Sequence, residues 1–175
     1  KMLIAINLSR NTNCYIAKIG DTALVVDPAD DGERICAFLH EKGISPVACV
    51  ITHAHFDHAG NAKKLQDDGA KIYISKFDAP KLLNEDNLGS SFGRKFDYLT
   101  ADFTFDDGDE MEICGIKVKV IATPGHTDGS VCFLIENALF TGDTLFNGSV
   151  GRTDFKSGNR DDMVLSIKKL FATIY

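Results

Sequence analysis

The sequence alternates short apolar runs with small groups of turn residues, and this pattern is typical of β-strands joined by tight turns. The runs are rich in β-branched residues, which strands favour. They are "MLIAINL", "CYIAKIG", "TALVVDP", "VACVIT", "KIYIS", "IKVKVIAT", "SVCFLIE" and "ALFTGD". The sequence therefore predicts a strand at each of these eight runs.

Three other segments show the residue spacing of amphipathic helices. They are "DGERICAFLHEKG", "AGNAKKLQDDG" and "GNRDDMVLSIKKLFATI". Asp30 and Asp31 lie at the start of the first helix, and Gly43 is its stop signal. The polar stretch from residue 84 to residue 105 predicts a long loop or an insertion of short helices.

The predicted strands outnumber the predicted helices, and the helices occur singly between them. This order favours one α/β domain over residues 1–175, in which two sheets pack together and the helices lie outside. Periodicity alone does not give the order of the strands within the sheets.

Composition narrows the classes of partner. Apolar residues make up 44% of the chain, as in ordinary globular domains, and no apolar run is long enough to cross a bilayer. The net charge of −6 argues against a nucleic-acid partner, because phosphate binding needs a basic surface. Five cysteines without a CxxC pair, four of them inside apolar runs, predict buried thiols in a reducing compartment and therefore a cytoplasmic protein.

Candidate chemistry is concentrated in "THAHFDHAGN", between a predicted strand and a predicted helix. Its ligand-type residues are His53, His55, Asp57 and His58. A loop at a strand end can turn several side chains toward one point, and imidazoles and carboxylates bind zinc and iron. His53 and His55 can converge on one ion, while Asp57 and His58 could serve a second. The cluster thus predicts half of a two-metal site.

Two later residues are candidates for completing this site. His126 follows the run "IKVKVIAT", and Asp143 follows the run "ALF". Each is weak evidence alone, because a single loop histidine is usually a surface residue and a single aspartate usually caps a turn. Their positions at strand ends strengthen both, and the two oxygens of Asp143 could bridge two ions. His40, inside the first helical pattern, is predicted to be structural.

The motifs "THAHFDH", "PGHTDGS" and "FTGDTLF" resemble the successive motifs of the metallo-β-lactamase fold superfamily. The segments "GSVGRTDFKSG", "NTNCYIA" and "ALVVDPADDGERI" are similar to those of glyoxalase II-like hydrolases, in particular the small single-domain bacterial type. The resemblance covers nearly the whole chain. It implies a four-layer αββα sandwich, with metal ions bound at one edge between the two sheets.

The resemblance also implies a role for each candidate residue. The first metal would be held by His53, His55 and His126, the second by Asp57 and His58, and both by Asp143. Asp27, at the end of "ALVVD", would orient a ligand histidine, although capping the next turn is its ordinary alternative. Gly151 and Arg152 would lie in a loop near the substrate. There the Arg152 side chain could meet an anion or form a surface salt bridge.

One departure from the family pattern affects these expectations. The family supplies a last histidine to the second metal after its final long helix, and a final strand there. The given sequence, which ends at Tyr175, matches neither. We therefore expect a chain truncated at its C-terminus, with the second metal site one ligand short. It also lacks the helical domain with which larger glyoxalase II enzymes bind glutathione.

The function implied by the resemblance is hydrolysis of a thioester, such as a hydroxyacylglutathione, by hydroxide formed at two divalent ions. Zinc is the first choice of metal, with iron or manganese as alternatives, and Asp57 and Asp143 are the catalytic candidates. The expected partner is a small-molecule substrate, with no nucleic acid or membrane, and the chain is a monomer or homodimer.

The main alternative is a persulfide dioxygenase that uses a single iron held by His53, His126 and Asp143. Two histidines and one carboxylate with open positions suit oxygen chemistry at iron. A β-lactamase, a lactonase and a nuclease rank lower.

Overall fold

The computed structural model describes residues 2–7, 12–29 and 32–174, and gives the backbone alone for residues 2–7, 32, 33 and 174. Within these ranges the strands are β1 (Met2–Asn7), β2 (Asn13–Ile19), β3 (Thr22–Val26), β4 (Ser45–Val50), β5 (Lys71–Ser75), β6 (Phe103–Phe105), β7 (Glu110–Ile113), β8 (Ile116–Ala122), β9 (Val131–Ile135), β10 (Ala138–Phe140), β11 (Leu145–Phe146) and β12 (Ser149–Val150). The α-helices are α1 (Gly32–Glu41), α2 (Phe56–Ala59), α3 (Ala62–Asp67) and α4 (Arg160–Ile174).

The eight apolar runs all form strands, β1 to β5 and β8 to β10, so this prediction is confirmed. The structure adds β6, β7, β11 and β12, which have two to four residues each and are too short to show a clear alternation. The stretch from 84 to 105 contains short 3-10 helices at Glu85–Asn87 and Ser90–Phe92, as predicted, and ends in β6.

Helices α1 and α4 match their predictions, although Asp30 and Asp31 lie outside the described residues. The helix predicted over "AGNAKKLQDDG" is wrong in extent, because α3 spans only Ala62–Asp67 and a division after Ala59 separates it from the preceding helix α2. The division lies where the chain contacts the loop after β3. Ala29 N donates to His58 O at 3.0 Å, and Asn61 N donates to Ala29 O at 3.0 Å. These bonds replace the helical pairing between the two segments.

The two sheets differ in strand direction. In the described residues, the first has the order β1-β2-β3-β4-β5-β6 and the second has the order β10-β9-β8-β7. Strands β3 to β6 run parallel, whereas neighbouring strands of the second sheet run antiparallel. Since β3, β4 and β5 are neighbours and parallel, their carboxyl ends meet at one edge of the first sheet. The loops that follow them can therefore form a common site.

Apolar clusters fill the spaces between the layers. Ile35 of α1, Leu65 of α3 and Ile72 of β5 belong to the cluster that joins the helices to the first sheet. Val50 of β4 and Phe133 of β9 belong to the cluster between the two sheets. Burial of this apolar surface is the main force that holds such layers together.

Helix α4 covers the other face of the second sheet. Its Leu170 packs with Ile121 and Cys132. The layer order is therefore helix, sheet, sheet, helix, which confirms the predicted αββα sandwich. The expectation that this chain lacks the family's final strand concerns the sequence after α4, which lies outside the described residues, and it stays a prediction. None of the helices in the described ranges is both long enough and apolar enough to cross a bilayer.

Candidate metal centre

The histidine cluster lies directly beyond the carboxyl end of β4. His53 and His55 are in the loop before α2, while Asp57 and His58 are on α2 itself. All three histidines are buried, and Asp57 is partly exposed. His40 lies apart from them. It is exposed on α1, with its Nε2 3.3 Å from Asp68 Oδ2.

His53, His55 and His126, which we call the trihistidine group, offer ring nitrogens within 4.8 Å of one another. His55 Nδ1 lies 2.9 Å from His126 Nε2. His53 Nε2 is buried and has no hydrogen-bond partner within the described part of the chain. A buried polar atom without a partner is costly, so such atoms call for an explanation. Three converging imidazole nitrogens are a ligand set that suits Zn²⁺ or Fe²⁺, and they therefore fit a metal ion.

Asp57, His58 and Asp143, which we call the mixed group, lie beside the trihistidine group. His58 Nε2 is 3.1 Å from Asp143 Oδ1 and 3.7 Å from Asp57 Oδ2. The other oxygen of Asp143, Oδ2, is 3.4 Å from His126 Nε2. Asp143 thus has one oxygen near each group, a position from which a carboxylate can bridge two ions.

The pKa values of His53 and His55 shift in the opposite direction to that of His58. Burial, followed by the neighbouring histidines, lowers the pKa of His53 well below its usual range and that of His55 to about 3. Burial would also lower the pKa of His58, but Asp27 and Asp143 outweigh it and raise the pKa. Burial would raise the pKa of Asp143, but His58 lowers it overall. His53 and His55 are therefore neutral, with free lone pairs, and Asp143 is ionised.

Asp27 fixes the ring orientation of two histidines. Its Oδ2 accepts from His58 Nδ1 at 2.9 Å and from Thr52 Oγ1 at 2.7 Å. Because the Thr52 hydroxyl donates to Asp27, its oxygen can accept from His53 Nδ1, which is 3.2 Å away. These bonds leave Nε2 of both histidines facing the site. An outer carboxylate commonly orients metal-bound histidines in this way.

Gly151 and Arg152 contact the site through the backbone. A Cβ at position 151 would lie 1.8 Å from Asp143 O, so only glycine allows this approach. The carbonyl oxygen of Arg152 accepts from His126 Nδ1 at 2.7 Å. The guanidinium of Arg152 forms two 2.6 Å bonds with Asp154. Of the two roles open to the Arg152 side chain, the structure shows the surface salt bridge.

Three residues that the sequence patterns did not indicate contact the candidate ligands or their neighbours in the chain. Asp78, fully buried, accepts from the backbone N–H of Ala54 at 2.7 Å. Thr12 Oγ1 donates to Asp57 Oδ2 at 3.0 Å, and the ring of Phe155 lies 5.3 Å from that of His55. None of the three has the close spacing to other ligand-type residues that marks the histidine cluster. Thr12 and Phe155 fall within the motifs "NTNCYIA" and "GSVGRTDFKSG", which were the available signal.

Two cavities border the candidate ligands. One, of about 290 Å³, is lined by His58, Asp143 and Phe146, among others. The other, of about 280 Å³, is lined by His55 and Phe155, among others. The site therefore has space for a small molecule beside each group.

Comparison with known proteins identifies the family. The family model described as the metallo-beta-lactamase superfamily matches residues 9–172. The chain belongs to this superfamily. A probable metallo-hydrolase of Bacillus subtilis, YqgX, is 31% identical over 167 residues, which cover 93% of this chain and 79% of that protein.

Two solved structures match this superfamily member over nearly its whole length. The crystal structure of the BLEG-1 B3 metallo-beta-lactamase has a TM-score of 0.92 at 30% identity, over 99% of this chain and 87% of that one. The structure of TTHA1623 in a di-iron-bound form has a TM-score of 0.84 at 29% identity, over 97% and 86% of the two chains. The family and the histidine-rich site together support a metal-dependent hydrolase.

Proposed function

We propose that the protein hydrolyses a thioester of a small molecule, such as a hydroxyacylglutathione, with two divalent metal ions as cofactors. The observation that carries this proposal is the convergence of three buried imidazoles beside the ionised carboxylate of Asp143. This donor set suits zinc, with iron or manganese as alternatives. The similarity to a probable metallo-hydrolase and to a di-iron-bound structure supports the metal-dependent part.

The ligand residues would be shared between two ions in the same two groups that the geometry defines. The trihistidine group would hold the first ion, Asp57 and His58 the second, and Asp143 both. Ions bound there supply a water of lowered pKa and a polarised carbonyl group. Oxygen Oδ2 of Asp57, on the more exposed side of the site, can hold and orient the attacking water, and Thr12 Oγ1 fixes that carboxylate.

A thioester fits this set of groups because its leaving group needs little assistance. The thiol of the leaving group has a pKa of about 8.5. Its thiolate can therefore depart near neutral pH without a residue that protonates it. The cavity beside His55 offers the aromatic face of Phe155, while its lysines, Lys81 and Lys156, are paired with aspartates. The acyl or thiol part of the substrate would lie there.

The test is a substrate panel on metal-loaded protein, comprising thioesters, oxygen esters, lactones and a chromogenic β-lactam. We expect the highest kcat/KM for a thioester, loss of turnover with a chelator, and no turnover by His53→Ala. An Asp154→Asn variant, changed on the surface, is the matched control and should retain activity. Turnover of the β-lactam alone would contradict the proposal and favour the similarity to the B3 enzyme.

A second candidate is oxygen-dependent oxidation of a persulfide at a single iron. His53, His126 and Asp143 would be its ligands, and the 3.4 Å distance between His126 Nε2 and Asp143 Oδ2 favours their binding to one ion. The measurement is oxygen uptake by the iron-loaded chain with glutathione persulfide. Uptake together with no thioester cleavage would replace the first proposal.

The proposal includes no nucleic-acid or membrane partner and a monomer or homodimer as the active form. The net charge of −6 supports the first point. A reducing compartment such as the cytoplasm is part of it, since the cysteines are free thiols and only Cys114 among them is exposed.

A further inference from the structure

Asp78 is a fully buried carboxylate that none of the steps above uses. It lies three residues after the end of β5, the strand that pairs with β4 in parallel. Its Oδ2 accepts from Ala54 N at 2.7 Å and from Thr127 Oγ1 at 3.1 Å. Ala54 separates His53 from His55, and Thr127 follows His126. One carboxylate oxygen thus joins the two chain segments that carry the trihistidine group.

Its second oxygen, Oδ1, faces Lys81 Nζ, which also reaches Asp128. Lys81 is itself nearly buried. Burial lowers its pKa, but Asp78 and Asp128 outweigh burial and raise it, so the lysine stays charged. Asp78 and Lys81 therefore make two links to the turn after His126, one through the Thr127 hydroxyl and one through the Asp128 carboxylate.

The backbone around this turn allows the close contact. A Cβ at Gly129 would lie 2.3 Å from Asp78 Oδ1 and 2.5 Å from Ser75 Oγ. Glycine at this position lets the turn lie directly against the carboxylate. A buried carboxylate with donors on both oxygens is held in one orientation, and it holds its partners in turn.

Asp78 and Asp27 form a matched pair around His53. Asp27 Oδ1 accepts from Thr52 N at 2.7 Å, and Asp78 Oδ2 accepts from Ala54 N at 2.7 Å. The peptide N–H groups on both sides of His53 are therefore bound by buried carboxylates, which follow the two strands that neighbour β4.

We propose that Asp78 is a positioning residue of the metal centre, which sets the distance of His126 from His53 and His55 by binding Ala54 and Thr127 together. The inference rests on the proposed metal centre and is independent of the reaction catalysed there. Outer partners of this kind change metal affinity when they are lost, commonly by about 10- to 100-fold.

Replacement by asparagine is the sharpest test. The groups that face both oxygens of Asp78 are donors, so the amide NH₂ of the introduced asparagine would oppose a donor in either orientation. In Asp78→Asn we expect the affinity for Zn²⁺, measured by competition with a chromophoric chelator, to fall by about 10- to 100-fold. We also expect the visible d–d bands of the Co²⁺-loaded protein to shift, because the nitrogen positions change.

Asp102→Asn is the matched control. Asp102 also accepts from a backbone N–H, Ile72 N at 3.0 Å, and from two side chains, Lys71 Nζ and Gln66 Nε2, each at 2.9 Å. It contacts the start of β5, not the site. Its variant should lose thermal stability as well, though less because Asp102 is partly exposed, while keeping the wild-type affinity and Co²⁺ spectrum.

Thr127→Val removes the hydroxyl and keeps the shape of the side chain, so it decides the question if Asp78→Asn does not fold. A smaller loss of affinity in the same direction supports the proposal. Wild-type affinity and spectrum in both variants, or in Thr127→Val alone when the other is unfolded, would overturn it. A wild-type chain that binds no ion would overturn the proposed metal centre itself, whereas a chain that binds ions but cleaves no thioester would overturn only the proposed reaction.

Discussion

The trihistidine group and the mixed group lie side by side but differ in exposure and charge. The residues His53, His55 and His126 of the trihistidine group are 1%, 4% and 2% exposed. In the mixed group the carboxylates of Asp57 and Asp143 are 31% and 25% exposed, and only the ring of His58 is buried. The pKa values of His53 and His55 are lowered, and the mixed group combines carboxylates with a histidine, His58, of raised pKa. Under the proposed function, the first group would bind one ion tightly and the second would be open to water and substrate.

The hydrogen bonds that support the two groups also differ. The trihistidine group is supported by hydrogen bonds to Thr52 Oγ1, Arg152 O and, through Ala54, to Asp78. In the mixed group, Asp27 accepts from His58, and within the described residues Thr12 donates to the exposed carboxylate of Asp57. If two ions bind as proposed, the partly exposed carboxylates mark the side on which a substrate would displace ligands.

Removal of a trihistidine ligand should have the largest effect. A ring nitrogen of His53 lies within 4.8 Å of ligand atoms in both groups, so His53→Ala should lose both ions and reduce zinc affinity by more than the roughly 100-fold typical of outer partners. His58→Ala should retain one ion per chain. Zinc content after dialysis distinguishes these results, and equal content in the two variants would remove the difference between the groups.

Loss of the bridging charge should rank second. Asp143→Asn keeps the shape of the side chain but removes the negative charge that both groups share. We expect one ion per chain and a fall in kcat larger than the change in KM. Native mass spectrometry measures the stoichiometry, with Asp154→Asn as the surface control. Two tightly bound ions in Asp143→Asn would mean that the carboxylate does not bridge.

Crowding at Gly151 should have a smaller effect, on stability as well as on the site. The added methyl group of Gly151→Ala would meet Asp143 O at 1.8 Å, and we expect a loss of about 1–3 kcal/mol in the free energy of unfolding. Gly148→Ala, on the same hairpin, meets nothing within 4 Å and measures only the strain of its φ of +77°. Urea denaturation of both apoproteins, followed by zinc titration, separates crowding from strain. Equal losses in affinity would argue against a backbone contact with Asp143.

Removal of the Arg152 side chain should have the smallest effect. His126 is held by the carbonyl oxygen of Arg152, which Arg152→Ala retains, and the guanidinium is exposed. We expect a stability change within about 0.5 kcal/mol, as at most surface sites, and an unchanged KM for an anionic thioester. A KM raised tenfold would show that the side chain leaves Asp154 to bind substrate, as the family resemblance allows.

The features predicted correctly are those in which neighbours along the chain carry the signal. Ile72 and Ile74 alternate with more exposed residues in β5, and the crowding of His53, His55 and His58 stands out without any structure. The layers followed because such strands and helices must bury one face each.

The features that were missed depend on contacts between distant segments. Asp78 meets Ala54 and Thr127 only because β5 lies beside β4, and periodicity does not give the strand order. The role of Arg152 was assigned to its side chain, since a sequence does not show which carbonyl will face a histidine. The division between α2 and α3, which shortens the predicted helix, likewise depends on Ala29, which pairs with Asn61 across more than thirty residues of sequence.

The most direct test of the account is the element-resolved metal content of the wild-type chain and of His53→Ala, after loading with zinc and removal of the excess. We predict at least one tightly bound ion per wild-type chain, a second of weaker affinity, and essentially none in His53→Ala. A wild-type chain without bound metal, or a His53→Ala variant that retains the wild-type content, would contradict the assignment of this cluster as a metal centre.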